Sequence, residues 1–259
     1  MDLELGGKVV LITGGTDGLG LALARRLAAE GASVAVCGRD AGRVEAAARS
    51  VEEAGGGQVL AQRADVSRLD DLEAFVDAAV ARWGRIDGVV HNAGRASGGA
   101  IESVDDDAWE ADVALKVMAA VRLTRLAVPQ LRATGGSILF TLAISAKAPG
   151  AGSEPSSVTR AAGMALMKSL SKELAPSGIR ANAILIGLVE SGQWVRAAAS
   201  SGTELPTFYE RFASDAGIPL GRFGRADEFA DLASYLLSAR ASYVTGTAIN
   251  LDGGLSPAV

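Results

Sequence analysis

Short apolar runs alternate with longer amphipathic stretches along this chain of 259 residues. The short runs are rich in valine, isoleucine and leucine, which favour strands, whereas the longer stretches show the spacing of helices. This alternation predicts βαβ units and a parallel sheet, and runs that are apolar throughout predict helices on both of its faces. Seven strands are predicted, at Val9–Ile12, Val34–Val36, Val59–Leu60, Gly88–Val90, Ser137–Phe140, Ala181–Leu185 and Ala248–Leu251.

The segments between these strands are predicted to be mostly helical. No internal repeat and no linker interrupts the pattern, so a single domain over residues 1–259 is expected. The stretch between the sixth strand and Gly217 shows no clear period and is expected to be irregular. Helices are expected up to Glu30, up to about Ala54, and at about Ser67–Trp83, Trp109–Leu131, Ser156–Ala175 and Asp227–Leu237.

Composition narrows the expected partners and compartment. A net charge of −5 without a basic stripe makes nucleic acid and anionic membranes poor partners. Cys37 is the only cysteine, which excludes an intramolecular disulfide or a cysteine metal site and fits a reducing compartment. The first residues lack the pattern of a signal peptide, and the apolar runs are too short to cross a bilayer. A cytoplasmic protein without a metal site is expected.

A glycine-rich turn follows the first predicted strand and opens the first predicted helix. Glycines at this place allow a tight turn and let a pyrophosphate approach the backbone N–H groups at the positive end of a helix. Other short motifs follow in order along the chain. The turn and these motifs are Thr13-Gly14-Gly15-Thr16-Asp17-Gly18-Leu19-Gly20, Asp65-Val66, Asn92-Ala93-Gly94, Gly221-Arg222-Phe223-Gly224, Tyr243-Val244-Thr245-Gly246 and Asp252-Gly253-Gly254.

The order and spacing of these motifs resemble the short-chain dehydrogenase/reductase family over nearly the whole chain. The resemblance implies an α/β fold, a Rossmann-like doubly wound sheet of seven parallel strands in the order 3-2-1-4-5-6-7 with helices on both faces. It also implies an NAD(P)-binding oxidoreductase that acts on the carbonyl or alcohol of a small molecule, in a homodimer or homotetramer. A substrate lid is expected at residues 187–217, where aromatic residues would either bind an apolar substrate or pack the lid onto the core.

The resemblance assigns cofactor contacts as well. NAD-selective relatives place an acid after the second strand, but this chain has Gly38 followed by Arg39, whose guanidinium matches a 2′-phosphate. NADP(H) is therefore favoured over NAD(H), although Asp17 stands where NADP-selective relatives often carry a basic residue. Asp65 would bind the adenine amino group or serve as an acid at a helix start. The expected contacts are Gly14, Thr16, Gly18, Leu19, Gly20, Arg39, Asp65, Val66, Asn92, Ala93, Gly94 and Arg160, with Gly14, Gly18 and Gly20 along the phosphates.

All four catalytic positions of the family are substituted in this chain. Relatives carry a tyrosine and a lysine one helical turn apart, a serine at the end of the fifth strand and an asparagine on the preceding helix. Aligning the chain on the surrounding motifs places Ser156 at the tyrosine, Arg160 at the lysine, Ala143 at the serine and Lys116 at the asparagine. The resemblance therefore predicts a pocket that holds the cofactor but lacks the usual acid.

The substituted residues differ in what they can do. An aliphatic hydroxyl is far less acidic than a phenol, so Ser156 would need a base or relay to supply a proton, and otherwise serves as a helix cap or first-turn residue. Arg160 keeps its charge and could anchor the ribose. Lys116 is either a surface lysine or, if it faces Arg160, an acid with a lowered pKa. Ala143 removes a donor from the oxyanion position, and Ser145 could replace it only if the strand were two residues longer.

Other candidate proton donors and functions remain open. His91, the only histidine, is expected to be a packed, hydrogen-bonded strand residue or else a proton relay. Lys147 and Glu154 are exposed loop charges or lie over the nicotinamide, and Tyr209 packs in the lid or swings inward. The alternatives to an oxidoreductase are a non-redox enzyme of the same fold, such as a dehydratase, isomerase or cyclase, and a cofactor-binding pseudoenzyme.

Overall fold

The computed structural model describes residues 2–259 and confirms the α/β architecture. Over these residues, a seven-stranded parallel sheet has the order β3-β2-β1-β4-β6-β8-β9, which is 3-2-1-4-5-6-7 when only the strands of this sheet are counted. The strands are β1 (Val9–Thr13), β2 (Ser33–Gly38), β3 (Val59–Arg63), β4 (Gly88–His91), β5 (Gly98–Gly99), β6 (Ser137–Ala143), β7 (Glu154–Pro155), β8 (Arg180–Ile186) and β9 (Ala248–Leu251).

The sheet is buried on both faces, as its apolar strands predict. On one face, Leu11 and Ile138 pack in a cluster with Phe75 and Leu123; on the other face, Ile12 packs in a second cluster that includes Phe229. Burying such a side chain stabilises the fold by roughly 1.5–3 kcal/mol. The helices that cover the sheet and its carboxyl-terminal edge are α1 (Gly18–Ala29), α2 (Ala41–Ala54), α3 (Leu69–Trp83), α4 (Asp106–Val113), α5 (Ala119–Thr134), α6 (Ser156–Glu173), α7 (Gly192–Ser201), α8 (Leu205–Asp215) and α9 (Ala226–Leu237).

Two features of the fold differ from the prediction. The long helix expected around Trp109–Leu131 is made of α4 and α5, joined by a π-helical turn at Ala114–Met118. The stretch expected to be irregular is instead mostly helical, because it forms α7 and α8. Gly202, in a left-handed conformation, ends α7, and Pro206 lies in the first turn of α8. These breaks divide the stretch into two helices of 10 and 11 residues.

A small antiparallel sheet is a further difference, which was not predicted because each of its strands has only two residues. It pairs β5 with β7, so that Gly98 lies opposite Pro155 and Gly99 lies opposite Glu154. This pairing joins the loop after β4 to the start of α6. Within residues 2–259, no helix is both long and apolar enough to span a lipid bilayer.

Candidate active site

A cleft of about 930 Å³ opens at the carboxyl ends of the strands, next to the point where the strand order reverses between β1 and β4. In doubly wound sheets, this crevice is where ligands bind, and the volume lies within the usual range for ligand sites. The predicted cofactor contacts that line the cleft are Gly14, Thr16, Gly18, Leu19, Arg39, Asp65, Val66, Asn92, Ala93, Gly94 and Arg160.

Gly20 was expected at the phosphates but lies behind the glycine-rich turn. A side chain at Gly20 would overlap the carbonyl oxygen of Gly14 and the amide of Asn92, so glycine is needed for α1 to approach the turn. The Asn92 amide braces the same turn, because its Nδ2 donates to the carbonyl oxygens of Thr13 at 3.1 Å and of Gly14 at 3.0 Å. Gly20 and Asn92 therefore fix the conformation of the glycine-rich turn.

The end of the cleft beyond β2, where the adenosine is expected, carries two arginines. Arg39 and Arg43 both line it, and Asp17, the acid that argued against NADP(H), is paired with arginines. Its Oδ1 accepts from the backbone N–H of Gly18 at 2.7 Å, while its Oδ2 lies 3.4 Å from Arg196 and 3.9 Å from Arg43. The negative charge of Asp17 is thus already balanced by cations and by the start of α1.

Asp65 lies on the cleft wall but does not cap a helix. Its Oδ1 accepts from the backbone N–H of Ser67 at 3.0 Å and from the Ser67 hydroxyl at 2.7 Å, whereas α3 begins only at Leu69. Burial raises the pKa of Asp65, but the bonds from Ser67 and the charges of Arg39 and Arg68 outweigh that effect and lower it. An ionised acceptor therefore faces the cleft.

Arg160 occupies the middle of the cleft wall. Its Nη1 donates to the carbonyl oxygen of Thr141, and its buried Nε has no hydrogen-bond partner among residues 2–259. Gly94 lies close beside it, and a Cβ there would crowd Arg160 Nη2 at 3.0 Å. A buried donor without a partner indicates that a hydrogen-bonding ligand or water belongs to the site.

Lys116 is buried in the site, so the interpretation of Lys116 as a surface lysine was wrong. Its side chain is only 3% exposed and projects from the π-helical turn. The Nζ atom donates to Ser156 Oγ at 2.5 Å and lies 2.7 Å from Asp112 Oδ1 and 3.3 Å from Ser97 Oγ. Lys116 and Ser156 therefore form a direct pair, with Lys116 behind Ser156 and Ser156 on the cleft wall.

A buried carboxylate missed by the sequence prediction holds this lysine. Asp112 is fully buried, and its oxygens also accept from the hydroxyls of Ser97 at 2.6 Å and Thr159 at 2.7 Å. Burial raises the pKa of Asp112, but its bonds to Lys116, Ser97 and Thr159 outweigh burial and lower it. The spacing of four residues between Asp112 and Lys116 was the one signal in the sequence that pointed to this pair.

The environment of Lys116 lowers its pKa to about 8. Burial is the largest cause, and the positive charges of Arg160 and Arg95 act in the same direction. The ion pair with Asp112 opposes them. Lys116 can therefore change its protonation state near physiological pH, unlike an ordinary lysine.

Ser156 and Ala143 lie at the ends of elements that border the cleft. Ser156 is the first residue of α6, and Lys116 donates to its hydroxyl. Ala143 ends β6, and Ser145 lies in the following 3₁₀ turn, so the strand is not long enough to put Ser145 at the family's serine position. Ser145 nevertheless lines the cleft with Ser97, Ser153, Ser156 and Gln193.

His91 is a packed strand residue, as the first interpretation expected. Its Nε2 lies 2.9 Å from Thr124 Oγ1, and its ring centroid lies 4.5 Å from that of Phe140. Burial lowers the pKa of His91 to about 3, which keeps the imidazole neutral. Lys147 is also structural, because its Nζ donates to the carbonyl oxygen of Ala248 at 3.0 Å.

The aromatic residues of the predicted lid, at residues 187–217, pack against one another and against Phe223. Trp194 lies 5.1 Å from Phe212 and 5.5 Å from Phe223 between ring centroids, and Tyr209 lies 4.7 Å from Phe223. The part of the cleft wall that α7 and the residue before it provide consists of Ser191, Gly192, Gln193 and Arg196. The structure thus favours packing over the binding of an apolar substrate by these aromatics.

Comparison with known protein families agrees with this architecture. The family model described as enoyl-(acyl carrier protein) reductase matches residues 14–256. The chain is 37% identical over 258 residues to a monensin polyketide synthase putative ketoacyl reductase of Streptomyces virginiae, covering 96% of this chain and 97% of the relative. It is 32% identical over 252 residues to dehydrogenase/reductase SDR family member 4 of Homo sapiens, covering 96% and 88%.

Two solved structures extend the comparison to the site. L-sorbose reductase from Gluconobacter frateurii, complexed with NADPH and L-sorbose, is similar with a TM-score of 0.95 and 35% identity, over 100% of both chains. A short chain oxidoreductase from Pseudomonas aeruginosa PAO1, bound to NADPH and containing an atypical catalytic center, has a TM-score of 0.92 and 33% identity. That match covers 97% of this chain and 98% of the other.

Proposed function

Because the chain belongs to the short-chain dehydrogenase/reductase family, we propose that it is an NADP(H)-dependent oxidoreductase that reduces a polar carbonyl compound, with Lys116 and Ser156 as its proton source. The observation that carries this proposal is the hydrogen bond of 2.5 Å from Lys116 Nζ to Ser156 Oγ on the wall of the cleft. It supplies the relay that an aliphatic hydroxyl needs before it can act as an acid near neutral pH.

The residues of the cleft fit NADP(H). Arg39 and Arg43 supply guanidinium groups for the 2′-phosphate, and the glycine-rich turn and the start of α1 supply backbone N–H groups for the pyrophosphate. Arg160, which has an unpaired buried donor, would hold the ribose hydroxyls beside Gly94. When bound, NADPH supplies the hydride. The NADPH complexes of the two structural relatives support this choice of cofactor.

The proposed acid is a relay of two groups. Ser156 donates its hydroxyl hydrogen to the carbonyl oxygen of the substrate while it accepts a proton from the ammonium group of Lys116. The effective donor then has a pKa of about 8, because the proton comes from Lys116. General acid catalysis of this kind typically contributes about 10²–10⁴-fold in rate.

The surrounding residues allow Lys116 to lose and regain its proton. When Lys116 becomes neutral, the carboxylate of Asp112 keeps the hydrogen bonds from Ser97 and Thr159 and is not left unpaired in the interior. Ser97 lines the cleft and lies 3.3 Å from Lys116 Nζ, so it offers a route for reprotonation from water in the cleft. Arg160 places a positive charge near the developing oxyanion, where Ala143 provides no hydroxyl.

The cleft favours a hydroxylated substrate. Beside the apolar side chains of Leu115, Ala143 and Ile186, the cleft is lined by polar side chains that can exchange hydrogen bonds with substrate hydroxyls. They are Ser97, Ser145, Ser153 and Gln193. The structural relative complexed with L-sorbose supports a ketose or a similar polyhydroxylated ketone. The apolar substrate expected from the lid sequence is therefore replaced in this proposal.

The proposed enzyme works in the cytoplasm as a homodimer or homotetramer. The buried thiol of Cys37 fits a reducing compartment. Exposed apolar side chains on the helices around the site, Val113, Met118 and Val158, support pairing of two copies through these helices. Light scattering of the purified protein measures the oligomeric state.

The test of this function combines cofactor binding with turnover. NADPH binding is followed by fluorescence, and its consumption is followed by absorbance with a panel of polyhydroxylated and apolar ketones. Ser156→Ala is expected to leave binding unchanged and to lower kcat/KM for the best ketone by about 100-fold or more, because the relay is cut. Ser157→Ala, at the buried neighbouring serine, is the matched control. Absence of NADPH binding, or full activity of Ser156→Ala, would contradict the proposal.

A further inference from the structure

The pair of Ser156 and Lys116 has the geometry of a catalytic serine and its base. A nucleophilic serine requires a base within hydrogen-bond reach and a third group that orients the base. Ser156 lines the cleft, Lys116 Nζ lies 2.5 Å from its hydroxyl oxygen, and Asp112 Oδ1 lies 2.7 Å from Lys116 Nζ. Serine and lysine dyads of this kind carry out acyl transfer on other folds.

We propose that the protein has a second activity, the hydrolysis of activated esters or thioesters through an acyl group on Ser156, with Lys116 as the general base. This activity goes beyond the reductase proposal and needs no cofactor. Its substrates are small acyl compounds that enter the cleft of about 930 Å³ from the side of Ser156.

The charges around Lys116 support a base as well as an acid. Arg160 on α6 and Arg95 after β4 disfavour the ammonium form, while Asp112 on α4 favours it. The resulting pKa of Lys116, about 8, leaves roughly a tenth of the lysine neutral at about pH 7. Because Ser97 and Thr159 also donate to Asp112, loss of the lysine proton leaves a hydrogen-bonded carboxylate.

A positive group lines the cleft beside Ser156. The guanidinium of Arg160, one helical turn further along α6, lines the same cleft. It can stabilise the oxyanion of a tetrahedral intermediate. The backbone N–H of Ser157 does not serve here, because it donates to the carbonyl oxygen of Ser153 at 3.0 Å.

The steps balance without an oxidant or reductant. Ser156 Oγ forms a bond to the acyl carbon while its proton moves to Lys116 Nζ. The bond from the acyl carbon to the leaving oxygen or sulfur then breaks, and Lys116 returns the proton to the leaving group. A water molecule next attacks the acyl carbon and gives a proton to Lys116, which passes it to Ser156 Oγ as the acid is released.

The two activities require opposite states of one residue. Reduction uses the ammonium form of Lys116, so its rate falls as pH rises through about 8, whereas acylation uses the neutral amine, so its rate rises through about 8. If a surface residue unrelated to Lys116 were acylated instead, the pH dependence of acylation would not share its midpoint with that of reduction. Replacing Lys116 is expected to remove both pH dependences.

The test uses p-nitrophenyl acetate as the probe, without cofactor. We expect release of p-nitrophenolate, addition of one acetyl group by intact mass, and its location on Ser156 by peptide mapping. Ser156→Ala and Lys116→Met are expected to abolish the acetyl label and lower the hydrolysis rate by about 100-fold or more. Ser157→Ala and Lys172→Met, a buried neighbouring serine and an exposed lysine on α6, are expected to retain both.

A second variant distinguishes loss of catalysis from loss of the fold. Lys116→Met leaves the carboxylate of Asp112 without its cation, so Asp112→Asn with Lys116→Met removes the buried charge as well. Circular dichroism and NADPH binding check that each variant is folded. Acetylation confined to other residues, or unchanged hydrolysis by folded Ser156→Ala, would overturn this inference. Reduction of a ketone without acetylation of Ser156 would overturn it and leave the reductase proposal standing; acetylation without reduction would do the reverse.

Discussion

Lys116 reaches the candidate active site from a π-helical turn, and this position explains why the sequence left its role open. The turn at Ala114–Met118 interrupts the regular helical spacing, so the face on which Lys116 lies does not follow from a period of 3.6 residues. Its partner Ser156 is 40 residues away along the chain. The motifs pointed to both residues separately, whereas their contact could be seen only in the tertiary structure.

At the residue scale, His91 makes the stability depend on pH. Burial lowers the pKa of His91 from 6.5 to about 3, so the unfolded chain binds a proton below pH 6.5 that the folded protein excludes. The contribution to stability is complete above that pH and falls by up to about 1.4 kcal/mol per pH unit below it. We expect His91→Asn to lose less thermal stability than the wild type between about pH 7 and about pH 5. Calorimetry measures the melting temperatures. An equal loss of thermal stability in the variant and the wild type would contradict a neutral buried imidazole at His91.

Arg39 is predicted to set the cofactor preference. Arg39→Asp removes a partner for the 2′-phosphate and adds a carboxylate that can bind the 2′-hydroxyl of NADH. The ratio of NADPH to NADH affinity is expected to fall by about 10-fold or more, which corresponds to about 1.4 kcal/mol. Arg49→Asp, an exposed residue on α2 with the same change of charge, is the control. Fluorescence titration with both cofactors measures the ratio, and equal ratios in the two variants would refute the assignment.

At the scale of secondary structure, burial determined which elements could be predicted from the sequence. The strands of the main sheet are apolar on both faces, and the sequence located all of them, although it often placed their ends short. The helices α7 and α8 were missed because each has only one buried residue, Ala198 and Ala213, and exposes much of its surface. Their aromatic residues were correctly noticed, but only the structure shows that they pack on Phe223.

The lid is predicted to dock through Trp194. This side chain contacts Phe208 and Phe212 of α8 as well as Phe223, so Trp194→Ala removes the ring that joins α7 to the other aromatics. Amide hydrogen exchange over residues 192–215 is expected to increase, while β4 and β6 stay protected. Trp83→Ala on α3 is the control for loss of a tryptophan elsewhere. Unchanged exchange in the lid would show that the cluster does not hold it.

At the scale of the whole molecule, two kinds of site meet in one cleft. The residues expected to contact the cofactor mostly belong to short motifs that follow individual strands, and all of them except Gly20 line the cleft. The catalytic half joins Asp112 and Lys116 with Ser97 and Ser156, which come from separate segments. Only the pair of Asp112 and Lys116 has a local signal, their spacing of four residues. The contacts with Ser97 and Ser156 depend on tertiary structure, including the packing of α4, the π-helical turn and α6.

The most direct test of the account is the pH dependence of kcat/KM for NADPH-dependent reduction of the best ketone, compared between the wild type and Lys116→Met. The account predicts a wild-type rate that is constant at lower pH and falls as pH rises through about 8, because the ammonium form of Lys116 supplies the proton. In Lys116→Met, kcat/KM is expected to be lower by about 100-fold or more and to show no fall as pH rises through about 8. The same fall in both proteins, or equal rates, would contradict it.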